Sequence, residues 1–282
     1  MNQNRRTNKT NRKKSPKGGF SGNHQRGWLW GHHAVTETLS TGVWPVIEIF
    51  TNSKAADRFS DLLSAKQKAG IPIQVVDNDR LEQLTRSTEH QGLAIRLGPF
   101  PYQSIESLTG RVDSALSESK SDPTNLKSSV PLVVICDRLQ DAFNFGAILR
   151  CCDGANVMGV IVGDHSQAPV TPHVVRSSSG AVNHLSIIKV SDLVETALQL
   201  KQQGMQVVAA DANTQSNVWN STLTGPTVLI IGSEATGVQP DLLSICDQRL
   251  WIPMQGKVTS LNAAVASGIL LYEIRRQQFS SC

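Results

Sequence analysis

Three short stretches of this chain place polar side chains where backbone geometry could hold them for chemistry. In DRLQDAFNFGAILR, residues 137–150, Asn144 stands just ahead of Gly146 and Ala147, and Arg150 closes the run. A carboxamide donates and accepts at once, and a guanidinium grips phosphate through a planar fork. In IGSEATG, residues 231–237, the Glu234 carboxylate sits between Gly232 and Gly237. Glycine at such places lets backbone approach a ligand and tolerates positive φ. In SLNAAVA, residues 260–266, Ser260 and Asn262 open a helical run, whose first amides can hold a ligand's polar groups. Each stretch also has a purely structural reading. Asn144 and Ser260 can be helix N-caps, Arg150 a surface residue, and Glu234 a carboxylate beside a helix N-terminus.

Signals for other chemistry are missing. No G-x-G-x-x-G follows a strand, Lys257 is followed by Val258 without the upstream glycine of a P-loop, and no H-E-x-x-H or EF-hand loop occurs. His32 and His33 are adjacent, which is not ligand spacing, and His165 and His173 read as loop polar residues, so no metal is expected. The cysteines are Cys136, Cys151, Cys152, Cys246 and Cys282, an odd count with no C-x-x-C pair. They read as free thiols in a reducing cytoplasm, with Cys152 in the core in spite of its neighbour Arg150.

The three stretches need elements to position them. Residues 130–282 alternate strand and helix, with strands predicted at Leu132–Cys136, Gly159–Val162, Ser186–Val190, Val207–Ala210, Val228–Ile231 and Leu250–Ile252. Most are unbroken apolar runs, as in a parallel sheet covered on both faces. The 232–237 loop then lies at the carboxyl end of a strand, where open α/β sheets bind ligands. A helix from Asp192 to Gln203 opens with capping-box spacing. The last helix, Leu261–Gln277, aligns Ala264, Val265, Gly268, Leu271 and Tyr272 in a stripe suited to another helix or to a symmetry mate.

Residues 27–100 form a smaller α/β unit. Its predicted helices are His33–Ser40, Lys54–Ala69 and Asp79–Arg86, and its strands Val46–Phe50, Ile71–Val76 and Gly92–Leu97. Pro72 points to an edge for the second strand. Residues 101–129 join the two units: Ile105, Leu108, Val112 and Leu116 share a helical face, and Ser117–Ser129 reads as a flexible connector.

With 282 residues and 39% hydrophobic content, the chain suits one large or two ordinary domains. No apolar run approaches the roughly 20 residues that span a bilayer, so no membrane partner is expected. The net charge of +4 is concentrated at one end. Residues 1–26 hold Arg5, Arg6, Lys9, Arg12, Lys13, Lys14, Lys17 and Arg26 and no acid. Such a tail is too poor in apolar residues to order by itself and reads as an arm that finds phosphates, with a solubilising or targeting segment as the other reading.

Taken in order, the three stretches resemble the motifs of the SpoU (TrmH-type) RNA ribose 2'-O-methyltransferases, of the SPOUT class. N-x-G-A-I-x-R is matched at Asn144, Gly146, Ala147, Ile148 and Arg150. G-x-E-G-x-G is matched at Gly232, Glu234 and Gly237, with Ala235 in place of a glycine. I-P-M followed by S-L-N-x-x-V-A is matched at Ile252, Pro253, Met254, Ser260, Leu261, Asn262, Val265 and Ala266. Gly31–Val35 and His90–Gly92 are similar to the recognition domain of the RlmB-like subgroup.

The resemblance implies an α/β fold: a C-terminal trefoil-knotted parallel-sheet methyltransferase domain, residues 130–282, behind a ribosomal-protein-like RNA-recognition domain. It implies S-adenosyl-L-methionine as cofactor, bound at Gly232, Ile252 and Leu261 with Met254 and Ser260 beside them. Arg150, Asn144, Glu234 and Asn262 would form the catalytic site. It further implies a homodimer and a guanosine ribose of large-subunit ribosomal RNA as acceptor. A tRNA ribose methyltransferase and a non-catalytic ribosome-assembly factor on the same scaffold are the alternatives.

Overall fold

A computed structural model describes residues 27–121, 130–258 and 260–280. The basic arm at 1–26 and most of the predicted connector lie outside the described residues. The chain folds as β1 (Trp28–Trp30), α1 (His32–Thr41), β2 (Val46–Thr51), α2 (Ser53–Arg58), α3 (Ser60–Lys68), β3 (Ile73–Val75), α4 (Asn78–Thr85) and β4 (Leu93–Leu97). Then come α5 (Ile105–Ser121), β5 (Leu132–Cys136), α6 (Ala142–Gly154), β6 (Gly159–Gly163), α7 (Pro172–Ser177) and β7 (Ile187–Val190). Last are α8 (Leu193–Gln202), β8 (Gln206–Ala210), β9 (Thr227–Ile231), α9 (Pro240–Ile245), β10 (Gln248–Leu250) and α10 (Ala263–Ser280).

The first unit is a four-stranded mixed sheet in the order β1-β4-β2-β3. β3 holds the edge, where the missing N–H of Pro72 costs no ladder bond. The helix predicted over 54–69 breaks at Phe59, whose φ of −112° leaves the helical range and separates α2 from α3. β1 escaped prediction, being only three residues long. Two segments about 60 residues apart meet at the start of α1: the Gln91 side chain accepts the His32 amide at 2.8 Å. His90 Nδ1 in turn accepts the Gly92 amide at 3.0 Å. Gly92 has φ +80° and any Cβ there would strike Asn52, so only glycine closes this turn.

The second unit is a six-stranded parallel sheet in the order β10-β8-β9-β5-β6-β7. Its central strands are buried along their length because both faces are covered. Leu132, Val134 and Cys136 of β5 face the side packed by α6, α7 and α10, while Val133 and Ile135 face α5, α8 and α9. The run from 117 to 121, expected to be loose connector, instead continues α5. Leu108 and Val112 of α5 are fully buried against this sheet.

The two units share one apolar core. Across their seam Asn183 donates to Thr38 Oγ1 at 3.2 Å, His184 pairs with Glu37 at 2.7 Å, and the Arg176 guanidinium stacks on Trp30. Burial, with Arg176 adding to it, pushes the His173 imidazole below its ordinary value at this seam.

The last helix corrects the predicted stripe. Ala264, Gly268 and Leu271 face α6 of the same chain, with Gly268 close enough that a Cβ would touch Cys151 Sγ at 3.4 Å. Val265 and Tyr272 turn outward and align with Phe279 at seven-residue spacing, at 52%, 56% and 70% exposure. The described cysteines are free. Burial raises the Cys152 thiol well above its usual value, so Arg150 does not activate it.

Candidate active site

β5 and β9 lie side by side, with Cys136 opposite Ile231, so their carboxyl ends open into one place. From β5 the chain runs outward through β6 and β7, and on the other side lie β9, β8 and β10. This point of divergence is where a parallel sheet leaves a crevice. A cavity of about 790 Å³ fills it. Its walls come from the start of α6, the 232–238 loop, the segments following β8 and β10, and the start of α10.

The predicted cofactor residues Gly232, Ile252, Met254, Ser260 and Leu261 all line this cavity. So do three of the four predicted catalytic residues: Asn144, Glu234 and Asn262. They are joined directly. Asn262 Nδ2 donates to Asn144 Oδ1 at 2.9 Å, and Asn144 Nδ2 donates to Glu234 Oε1 at 2.9 Å. One chain of hydrogen bonds thus links stretches 90 and 118 residues apart.

Local capping explains why these side chains are available. α6 begins with Asp141, whose carboxylate accepts the Phe143 amide at 2.7 Å. Asn144 is therefore not the N-cap; it lies in the first turn with its carboxamide free to bridge. α10 begins with Asn262, whose Oδ1 accepts the Ala264 and Val265 amides at 2.9 and 3.3 Å. Ser260, the expected cap, is exposed on the cavity rim. Asn262 caps with its oxygen and reaches Asn144 with its nitrogen, using both functions of the amide.

The 232–238 loop is closed on itself. Ser233 donates to the Gly237 carbonyl at 3.1 Å, and Gly237 to the Ser233 carbonyl at 2.8 Å. Gly232 lies so close to the backbone of Gly237 and Val238 that no Cβ fits. Gly237 has φ +67°, whereas Ala235 is not among the residues with positive φ, so the alanine departs from the motif without strain.

Arg150 stands apart. It does not line the cavity. It lies nearly two turns beyond Asn144 on another face of α6, and its Nη1 donates to Ser179 Oγ at 3.0 Å. Ser179 is held at φ +54°, uncommon for a non-glycine residue, and is followed by Gly180 at φ +89° against Glu37 of the first unit. The 178–180 turn was missed, although Ser178-Ser179-Gly180 is itself a turn signal. Asp211, Asn213 and Trp251 also line the cavity and were missed. Asp211 directly follows β8, so the rule that ligands gather at strand carboxyl ends would have found it.

Fold and cavity define a two-unit protein with a parallel-sheet ligand crevice. Residues 131–272 match the SpoU rRNA Methylase family, and residues 28–103 match the RNA 2'-O ribose methyltransferase substrate-binding domain. Similar curated proteins include the 23S rRNA (guanosine-2'-O-)-methyltransferase RlmB of Vibrio vulnificus, 31% identical over 255 residues. That alignment covers 90% of this chain and 98% of the relative. The putative TrmH family tRNA/rRNA methyltransferase YacO of Bacillus subtilis is 29% identical over 90% of this chain and 97% of its own length.

Among solved structures, the SpoU methyltransferase AviRb of Streptomyces viridochromogenes, in complex with AdoMet, superimposes with a TM-score of 0.70 at 24% identity. That match covers 90% of each chain. An AdoMet-bound rRNA methyltransferase of Sinorhizobium meliloti gives 0.73 at 22% identity, over 89% of this chain and 87% of that one. These two carry the fold alone. The chain belongs to the SpoU rRNA methylase family, and with it to the RNA 2'-O-methyltransferases.

Proposed function

We propose that this protein transfers a methyl group from S-adenosylmethionine to the ribose 2'-hydroxyl of a guanosine in large-subunit ribosomal RNA. The observation that carries the reading is the hydrogen-bonded chain Glu234–Asn144–Asn262 on the wall of the crevice. Two further features support it: relatives named RlmB near 30% identity, and a substrate-binding unit fused ahead of the crevice.

The residues fit the cofactor. Ile231, Leu250, Ile252, Leu261 and Leu270 offer an apolar wall for a base, and the bare backbone at Gly232 permits close approach. The Glu234 and Asp211 carboxylates suit hydroxyl and ammonium groups. The volume is in the range of small-molecule pockets. When bound, S-adenosylmethionine supplies an electrophilic methyl group on a good leaving group, so the chain's own residues have to position and acidify the acceptor hydroxyl.

Asn144, fixed at both ends, offers a rigid polar surface at the mouth of the crevice. Arg150 is assigned to the acceptor. Its guanidinium holds backbone phosphate and favours the developing oxyanion by its charge. It is not assigned as base, since a group with pKa above about 12 keeps its proton.

Assembly and topology belong to the same proposal. The exposed Val265–Tyr272–Phe279 row on α10 suits a two-fold partner, giving a homodimer. A knotted C-terminus is supported by the strand order. After β9 the chain goes out beyond β8 to form β10, then returns for α10 to pack on α6. The described residues contain no helix long and apolar enough to cross a membrane, and a cytoplasmic location is proposed with the RNA substrate.

Two measurements test the proposal. Calorimetric titration with S-adenosylmethionine should show binding that Glu234→Ala weakens; no binding to the wild type would remove the enzyme reading in favour of a scaffold. Mapping ribose methylation in a strain lacking the gene should show one missing mark on large-subunit RNA. A mark missing from tRNA instead would overturn the ribosomal assignment.

A further inference from the structure

Asp137 follows β5 directly, and its side chain is only 1% exposed. Its backbone amide donates to the Ile231 carbonyl at 2.8 Å, just ahead of the 232–238 loop. Its Oδ2 accepts the Gln239 amide at 2.8 Å, just behind that loop. Both ends of the crevice loop are therefore fastened to one residue of the neighbouring strand.

The next residue extends the grip. Arg138 pairs with Asp137 through Nε at 3.0 Å and reaches the Gly237 carbonyl through Nη2 at 3.4 Å. Its backbone is held at φ +56°, an unusual conformation for arginine. Taking a carboxylate out of water is costly, and an apolar side chain could fill the end of a β-strand at least as well. What a carboxylate adds is direction. Oδ1 accepts Arg138 Nε, Oδ2 accepts both Arg138 Nη2 and the Gln239 amide, and through the guanidinium the carboxylate fixes a carbonyl inside the loop.

We propose that Asp137, directly at Gln239 and through Arg138 at Gly237, is a positioning residue that holds the 232–238 loop in its ligand-ready shape from beneath. This rests on the reading of that loop as cofactor-binding and extends it: Asp137 makes no contact with ligand, yet sets donor affinity. A loop already closed spares the ligand the cost of ordering it.

The test is Asp137→Asn in the full-length protein. Asparagine keeps the size but has one acceptor oxygen, and its amide nitrogen opposes either Arg138 or the Gln239 N–H. Hydrogen exchange of amides 233–239 should quicken by about tenfold or more, the lower end of what an unsatisfied buried group costs. Exchange along β6 should stay unchanged.

The KM for S-adenosylmethionine should rise by a similar factor, with kcat at saturating donor within about twofold and RNA affinity unaltered. A residue that serves only global stability would quicken exchange everywhere and leave KM alone. Unchanged loop exchange overturns the proposal. Should Asp137→Asn fail to fold, Arg138→Ala decides, because that side chain is one-third exposed. Faster exchange near Gly237 supports the clamp and unaltered exchange overturns it. If the wild type binds no S-adenosylmethionine, the cofactor reading fails while the exchange data still judge the clamp.

Discussion

Two positions on α6 carry one sequence motif into two different surroundings. At its start, Asn144 is locked into the crevice wall by Glu234 and Asn262. Near its middle, Arg150 is outside the crevice and bonded to Ser179, in a turn that abuts the recognition unit. Between them Gly146 packs so closely on Ser177 of α7 that a Cβ there would collide with it. In the proposed reading, Asn144 serves the donor side and Arg150, six positions further along the same helix, serves the acceptor side.

The sharpest way to break this division is at Arg150. Arg150→Ala should reduce single-turnover methyl transfer by about 100–1,000-fold, the usual cost of losing a transition-state donor. S-adenosylmethionine affinity, measured in parallel by calorimetry, should be unchanged. Arg150→Lys should also be severely impaired, since a point charge lacks the planar fork. Near-normal turnover in the alanine variant would end the acceptor-side role.

In the proposed homodimer, Arg150, which does not line its own crevice, would serve the crevice of the second copy. Mixing Arg150→Ala and Glu234→Ala chains should then restore activity that neither variant has alone. No recovery after confirmed subunit exchange would mean that each copy completes its own site.

The donor-side end is tested at the centre of the relay. Asn144→Ala should weaken S-adenosylmethionine binding by about 5–30-fold, the roughly 1–2 kcal/mol expected for one or two ordinary hydrogen bonds. A double-mutant cycle with Asn262→Ala should show non-additivity. Additive losses would mean that the three side chains act separately.

Gly146→Ala probes the spacer between the ends. The added Cβ has to displace Ser177, and overpacking of this kind costs about 1–3 kcal/mol, readable as a lowered Tm. The smallest effect is expected from deleting residues 1–26. RNA affinity should fall modestly and the salt slope flatten by roughly 0.7 per lost single-strand phosphate contact, with donor affinity untouched. An unchanged slope would leave the arm a solubilising or targeting role.

Legibility from sequence followed the strength of the local signal. β5, β6, β8 and β9 were readable because a strand covered on both faces must be apolar throughout. The three-residue β1 was not, since it has too few positions to show a period. The caps misled where two polar residues competed: Asp141 displaced Asn144 at α6, and Asn262 displaced Ser260 at α10. In both cases the misreading hid how the crevice wall is built, because capping by Asp141 frees Asn144 to bridge, and Asn262 both caps and bridges.

Crevice residues were legible because the motif resemblance marked loops at strand ends. The separation of Arg150 from that crevice was not. It depends on helical phase and on the 178–184 segment, whose shape is set by packing against Glu37 and Thr38 of the other unit. Likewise, the last helix showed a row of small residues but not which partner would fill it; Cys151 of α6 does so at Gly268.

Asn262 has a consequence beyond its place in the relay. One side chain both caps α10 and completes the crevice wall, so fraying of that helix and opening of the crevice share a hydrogen-bond network. Occupancy of the crevice is thereby linked to the stability of the helix end. A ligand at about 100 times its Kd, binding only the closed form, adds roughly 2.7 kcal/mol to that form. The start of α10 should therefore act as a built-in occupancy gauge, with amides 264 and 265 exchanging more slowly as donor is added and losing that response in Asn262→Ala.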